Sequence, residues 1–137
     1  MRATVGIKAW MAKTLCVDEV RPTHCAGCGA ASRPLGARMV VHGHGLMLRP
    51  VRGVLAVGEH PSVFTLWVRR YACQLCRAIM TVVPAGMLAR RQYSASSIAL
   101  ALHLWLMMGL SDRTVRARVC ACGKRDERRA KQEALES

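Results

Sequence analysis

Hydrophobic and polar positions change texture three times along the chain. Residues 1–20 show no sustained period, so an irregular or weakly helical lead-in is expected through residue 23. From His24 to Pro84 the apolar and β-branched residues come in short runs: Arg38–Val41, Leu46–Leu48, Val51–Val57, Val63–Tyr71 and Ala78–Val83. Glycine and proline punctuate the gaps, a pattern that predicts strands joined by turns, with the last strand stopping at Pro84-Ala85-Gly86. A helical period begins at Ser94. With Ser94 as N-cap, Tyr93 and Ile98 occupy the two positions of a hydrophobic staple, and a mostly apolar helix runs from Ile98 to Met108 until Gly109 ends it. Ser111 is a second N-cap, opening a shorter basic helix from Asp112 to about Cys120 in which Asp112 meets the positive end of the helix dipole. The stretch KRDERRAKQEALES reads as a polar helix or a frayed tail. No internal repeat is apparent.

These textures predict an α+β protein: a lead-in over 1–23, a small β-rich zinc ribbon over 24–86, a helix-turn-helix-like helical pair over 87–122, and a charged tail over 123–137. A chain of 137 residues is long enough for a small metal-stapled module followed by a short helical one. The strongest apolar run, Ile98–Leu110, is about two-thirds of the ~20 residues that cross a bilayer and has His103 inside it, so no membrane partner is expected. The first twenty residues lack the unbroken apolar stretch and small-residue cleavage site of a secretory leader. The expected location is the cytoplasm, in association with the nucleoid.

Cysteine usage changes the picture most. There are seven cysteines, an odd number that argues against a disulfide framework. Cys25-Ala-Gly-Cys28 and Cys73-Gln-Leu-Cys76 form two C-x2-C pairs separated by residues 29–72. Two residues between cysteines let both sulfurs turn toward one tetrahedral ion, and Gly29 tolerates the turn after the first pair. The Val63–Tyr71 strand delivers the chain to the second. Reduced core cysteines, or a redox dithiol, are the other readings of the same residues. Neither pair opens a helix in a βαβ pattern, which disfavours the dithiol. One structural zinc ion on Cys25, Cys28, Cys73 and Cys76 is therefore expected. Four thiolates leave no open coordination position, so its role would be folding stability rather than catalysis. His24, His42, His44 and His60 are possible substitute ligands, but the plainer reading of His42-Gly-His44 is surface or turn residues of a hairpin. Cys16, Cys120 and Cys122 read as free thiols.

Lysine and arginine number 21 against 8 acidic residues, a formal net charge of +13 that four thiolates around a dication reduce only to about +11. Such a chain favours polyanions. Aligning Gly109 with the turn glycine of a helix-turn-helix places Leu104, Met108, Leu110 and Val115 at its apolar positions. Trp105 departs from the pattern where a small residue is usual, and Arg118 departs at the late apolar position, where Val119 could serve. In that alignment Ser111, Asp112, Arg113, Arg116 and Ala117 face outward from the second helix. Arg113 and Arg116 become the base readers, since a guanidinium can bond guanine bidentately. Arg69, Arg70, Arg90, Arg91, Lys124 and Arg125 would mainly touch phosphates. The competing reading is a solvated basic face on an ordinary helical hairpin. Aromatic residues are scarce and not interleaved with the basic ones, so duplex DNA is favoured over single strands.

The string VRRYACQLC, then TVVPAGMLARRQYSASSIALAL, then GLSDRTVRARV, resembles the zinc-ribbon and helix-turn-helix front end of bacterial insertion-sequence transposases and their small relatives. The resemblance covers roughly His24 to Val119, and its motifs include Arg69-Arg70, Thr81 with Pro84, and Tyr93-Ser94. It implies DNA binding in the context of a mobile element, with the four paired cysteines as zinc ligands. It does not carry catalysis across, because Asp18, Asp112 and Asp126 are too sparse to hold two metals as the family's acidic triad does. The expectation is a DNA-binding protein without enzymatic activity. The alternative is a zinc-stabilised interaction module with a protein partner or a second copy of itself.

Overall fold

A computed structural model describes residues 1–13, 15–88 and 90–120. The class is α+β: a mixed four-stranded sheet with three helices. In chain order these are β1 (Arg2–Gly6), α1 (Ile7–Ala12), β2 (Val41–Gly53), β3 (Ser62–Cys73), β4 (Ile79–Ala85), α2 (Ala95–Leu102), a π-helical turn (His103–Met107) and α3 (Asp112–Val119). The sheet order is β1-β4-β3-β2. The described chain forms two compact units, one of Met1–Pro50 with Thr65–Gln92, the other of Val51–Phe64 with the residues from Tyr93 onward.

In the first unit the N-terminal segment, expected as an irregular or weakly helical lead-in, holds a strand followed by a short helix. Ala3 and Val5 alternate with exposed neighbours and pack on the core, while β1 runs parallel to β4 with Arg2 opposite Val83 and Gly6 opposite Ala85. The α-amino group donates to the Thr81 carbonyl at 2.9 Å, and the Val83 amide donates back to Met1. Ile7 and Trp10, one turn apart, then bury one face of α1. Two inward residues per element are too few to produce a readable period, which is why the pattern escaped the sequence.

The β strands differ from expectation in extent. Arg38–Val41, Leu46–Leu48 and Val51–Val57 are not three strands: one thirteen-residue strand, β2, passes through the glycines at 43 and 45 and ends at Gly53. His42 and His44 consequently lie in a strand rather than a turn. β4 begins at Ile79, passes through Pro84 and ends at Ala85, within the Pro84-Ala85-Gly86 stop that the sequence marks. The β3–β4 register pairs Arg69 with Val82 and Tyr71 with Met80. Two places further, the same register brings Trp67 opposite Pro84, which has no N–H to donate. The Trp67 carbonyl accepts instead from the Trp10 indole at 2.8 Å, so the proline leaves no orphan acceptor. Trp10, Leu15, Val20, Val41, Tyr71, Met80 and Val82 form the core together with Cys25 and Cys73.

In the second unit three serines tie α2 to the Val51–Leu55 segment. Ser94 is the N-cap, accepting from the Ser97 amide at 3.1 Å. The Ser94 hydroxyl donates to the Val54 carbonyl, the Val54 amide donates to Ser97 Oγ at 2.6 Å, and Ser96 Oγ donates to Leu55 at 3.1 Å. Gly53 makes this approach feasible, since a Cβ there would lie 2.0 Å from Ser97 Oγ. α2 passes into the π-helical turn, and the helical segment ends at Gly109, where φ is +61°. Ser111 then caps α3, accepting from the Thr114 amide. Both caps and the glycine stop fall where the sequence places them. The interior differs: Leu104 is buried and Leu110 and Val115 are half-buried, but Met108 is exposed. Trp105 is exposed too, so no small residue is needed at that position.

Candidate metal centre and basic helix

The two cysteine pairs are built on the same local frame. Cys25-Ala26-Gly27-Cys28-Gly29-Ala30 and Cys73-Gln74-Leu75-Cys76-Arg77-Ala78 share the pattern C-x-x-C-x-A, a short repeat that inspection at domain scale overlooks. In the first, the Gly29 amide donates to Cys25 O at 2.9 Å and the Cys25 amide to Ala30 O at 2.8 Å. In the second, the Arg77 amide donates to Cys73 O and the Cys73 amide to Ala78 O, each at 3.0 Å. The residue after each second cysteine has positive φ, +74° at Gly29 and +64° at Arg77. The first turn is closed by the isolated bridge His24–Ala31, and the second is the β3–β4 connection itself.

The two turns meet. The four Sγ atoms lie within 4.8 Å of one another, with Cys25 to Cys76 at 3.5 Å and Cys28 to Cys73 at 3.8 Å. A tetrahedral ion holding sulfur at ~2.3 Å requires sulfurs about 3.8 Å apart, so the spacing matches a four-thiolate metal site. Cys25 and Cys73 are buried and Cys28 and Cys76 exposed, so each turn offers one inner and one outer ligand. Gly27 lets the turns close: a Cβ there would stand 3.1 Å from Ala78 Cβ and 3.2 Å from Cys76 Sγ.

Electrostatics favour a cation at this point. Amides of Cys28 and Gly27 aimed at Cys25 Sγ lower that thiol to about 6, so it is readily a thiolate. At Cys76 the Ala78 amide pulls the same way, but the sulfurs of Cys25, Cys28 and Cys73, together with burial, prevail and raise it to about 11. One thiolate forms easily and a second meets the charge of the first. A divalent ion removes that conflict, which is the usual reason clustered cysteines bind metal.

The histidines lie apart from this cluster. His24 Nδ1 is 3.2 Å from Thr23 Oγ1, and His42 Nε2 is 2.8 Å from the Met39 carbonyl. Among the described residues no other group of histidine, cysteine and acidic side chains gathers to hold a metal. Cys16 is an exposed free thiol as expected. Cys120 is not free, being disulfide-bonded, and its Sγ lies 3.1 Å from the Tyr93 hydroxyl. Cys122, Lys124 and Arg125 lie outside the described residues.

The basic residues named from sequence are dispersed. Arg69 Nε donates to the Leu15 carbonyl at 2.8 Å, so it secures the chain around α1. Arg70, next along β3, points to the opposite face of the sheet, and adjacent strand residues cannot serve one surface together. Arg90 and Arg91 are exposed, Arg90 with φ of +61°, and the Arg91 carbonyl accepts from Arg49 at 3.3 Å. On α3, Ser111 is occupied as the cap, while Arg113, Arg116, Ala117 and Arg118 are exposed. Arg113, Arg116 and Ala117 share one side of the helix, and Val115 and Val119 the other. Sequence reasoning missed Gly27, Arg77 and Arg21, which bonds the Val41 carbonyl and Asp18 and lies 5.7 Å over the ring of Tyr71, a member of the same core as Cys25 and Cys73.

Among the described residues no helix is long and apolar enough to cross a membrane. No family model matches the chain, and neither any curated protein nor any solved structure is significantly similar to it.

Proposed function

We propose that the chain is a duplex DNA-binding protein without a catalytic centre of its own, in which one structural zinc ion on Cys25, Cys28, Cys73 and Cys76 staples a zinc ribbon and α3 serves as the recognition helix of a helix-turn-helix. Zinc is favoured over other ions because four cysteine sulfurs in tetrahedral spacing are its commonest structural donor set. The observation that carries the DNA reading is the outer side of α3. Arg113 and Arg116 are exposed there without an ion pair or hydrogen bond among the described residues, on a capped helix that follows a glycine turn. A chain of net charge +13 supplies the non-specific attraction, and the guanidiniums of Arg113 in the first turn and Arg116 in the last supply groups able to read base edges. The sequence resemblance to transposase front ends points the same way. Arg69, tied to Leu15, is better assigned to structure than to phosphate.

The test is selection from a randomised duplex pool by zinc-loaded protein at about 0.15 M salt, where weak surface attraction is screened. One enriched motif is expected, lost with Arg113→Ala/Arg116→Ala, each lost bidentate contact costing about 1–3 kcal/mol of discrimination. A well-folded zinc protein that enriches nothing would sink this reading. The interaction-module alternative would then lead, and it has its own support in an exposed apolar stripe on α2 and the π-helical turn.

A further inference from the structure

The four-stranded sheet divides the charges of the first unit between its two faces. That unit contains only two carboxylates, Asp18 and Glu19, and both are engaged: Glu19 pairs with Lys13, and Asp18 with Arg21 and Arg33. The turn that carries them lies on the core face, where the Tyr71 hydroxyl donates to Val17 O at 2.6 Å and Arg69 donates to Leu15 O at 2.8 Å. The other face carries arginine without an acid of this unit. Arg2 points there because Ala3 and Val5 pack on the core and successive strand residues face opposite ways. Arg70 points there because Tyr71 and Met80, one place on in the β3–β4 register, are core residues; it stands opposite Thr81.

Like charges crowd this outer face. The α-amino group of Met1 donates to the Thr81 carbonyl, which ties it beside the Arg70–Thr81 pair. Burial, then Arg49 and then Arg2 depress the pKa of that amino group below its ordinary value, so both guanidiniums stand close to it. Arg49 also donates to the Arg91 carbonyl at 3.3 Å, which brings the exposed Arg90 and Arg91 to the same margin. Neither Arg2 nor Arg70 has a hydrogen bond or ion pair among the described residues. Gathering cations costs a fold free energy through their mutual repulsion, and the polar neighbours on this face, Thr4 and Thr81, carry no negative charge to offset it. An anion laid across the face removes that repulsion.

We propose that Arg2, Arg49 and Arg70 form a contact surface for the sugar-phosphate backbone of duplex DNA, separate from the side chains of α3. This rests on the reading that the chain binds duplex DNA, but not on α3 being the helix that reads bases. The layout of the face favours a backbone over a lone anion. β1 and β3 stand two places apart in the sheet, about 10 Å, so Arg2 and Arg70 reach different phosphates of a strand rather than sharing one. Exposed Thr4 and half-buried Thr81 lie between them and can donate hydroxyls to phosphate oxygens. Such contacts carry no sequence information; they fix the protein on the duplex and leave base reading to other residues. Arg2 and Arg49 carry no motif in the sequence, and only the sheet brings them to the side of Arg70.

The experiment is fluorescence anisotropy of the zinc-loaded full chain on an arbitrary duplex of about 20 base pairs, from about 0.05 to 0.3 M salt. Each phosphate contact contributes about 0.9 to the slope of log affinity against log salt. Arg2→Gln/Arg49→Gln/Arg70→Gln should therefore flatten the slope by about 2.7 and weaken binding roughly 100-fold near 0.15 M. Lys13→Gln/Arg33→Gln/Arg38→Gln removes the same charge from positions outside the strands and should change the slope by less than about 1. An unchanged slope in the sheet variant, an equal drop in the control, or retained duplex affinity with loss of sedimentation on phosphatidylserine vesicles would each overturn the proposal. Absence of duplex binding at the lowest salt would overturn it together with the DNA reading. The two readings also fail separately: a flattened slope in a protein that selects no motif keeps this surface and removes α3 as reader, whereas a selected motif with an unchanged slope does the reverse. Should the triple variant lose its circular dichroism signal or its zinc, Arg2→Gln/Arg70→Gln, at positions without a hydrogen bond, decides the matter with an expected drop of about 1.8.

Discussion

The paired cysteine turns allow a controlled measurement of backbone strain at the candidate metal site. Each turn needs a residue with positive φ directly after its second cysteine, and the chain fills that position with glycine in one turn and arginine in the other. A side chain in the left-handed region costs about 1–2 kcal/mol that glycine avoids. Glycine in turn loses about 0.4–1 kcal/mol more chain entropy on folding. The net prediction is that glycine at position 77 stabilises the folded protein by about 0.5–1 kcal/mol relative to alanine there. Alanine at position 29 should cost a similar amount, since a Cβ there meets nothing within 4 Å and only the backbone term acts. Comparing Arg77→Gly with Arg77→Ala removes the guanidinium from both variants, so its attraction for the thiolates cancels. Arg77 is exposed, and its backbone bond to Cys73 O survives either change. Because metal binding and folding are linked, a gain of about 1 kcal/mol should appear as about fivefold tighter zinc retention against a chromogenic chelator, alongside a raised urea midpoint. Equal or lower stability of Arg77→Gly compared with Arg77→Ala would refute the argument, and so would a neutral Gly29→Ala.

Three further outcomes test other parts of the structure. Stripping the metal with a strong chelator should collapse hydrogen-exchange protection at the Tyr71 and Met80 amides and lower the urea midpoint, since structural zinc contributes about 10–16 kcal/mol of apparent binding energy against a total stability of about 5–15; an unchanged midpoint would remove the structural role. Gly53→Ala should destabilise by at least about 3 kcal/mol, because its Cβ would displace Ser97 Oγ from the buried Val54 amide and sit at a φ of +98°; urea denaturation should show partial rescue by Ser97→Gly, and no rescue would place the cost elsewhere. Burial raises the Tyr71 pKa above its ordinary value, so the folded state holds the phenolic proton more tightly; stability from this source is intact below the ordinary tyrosine pKa and is lost as pH rises through the raised one. Tyr71→Phe should abolish that alkaline loss and cost about 1 kcal/mol at neutral pH through the missing 2.6 Å bond to Val17 O.

What could be read in the sequence was whatever a few neighbouring residues determine. Ser94 and Ser111 cap their helices because a serine side chain reaches an amide three residues on, and Gly109 stops the first helical segment because it alone enters positive φ without cost. The four paired cysteines were legible because C-x2-C is a local geometry, although their convergence across residues 29–72 was an inference from chemistry that only the sheet register realises. Elements whose signal is distributed were not legible. β1 pairs with a strand some eighty residues away, and nothing in Arg2–Gly6 encodes the partner. β2 extends through Gly43 and Gly45 because pairing with β3 outweighs the low strand propensity of glycine.

Position along the chain also proved a poor guide to the role of arginine. Arg69 and Arg113 were both assigned to DNA from sequence, yet Arg69 donates to Leu15 while Arg113 is exposed with no hydrogen bond or ion pair among the described residues. The distinction comes from what lies opposite. An arginine in a central strand has carbonyls within reach of its long stem and satisfies one that the sheet leaves unpaired. Arg113, on the outer side of a short helix, faces solvent, so its five donors stay available among the described residues. The same logic sorts the apolar residues of α2 and the π-helical turn. Leu104 is buried within its own unit, whereas Trp105 and Leu106, the next two positions, are left more than half exposed among the described residues. A hydrophobic run that continues past the width of one buried face must expose the remainder, and here that remainder carries no lysine, arginine, aspartate or glutamate within a strongly basic chain.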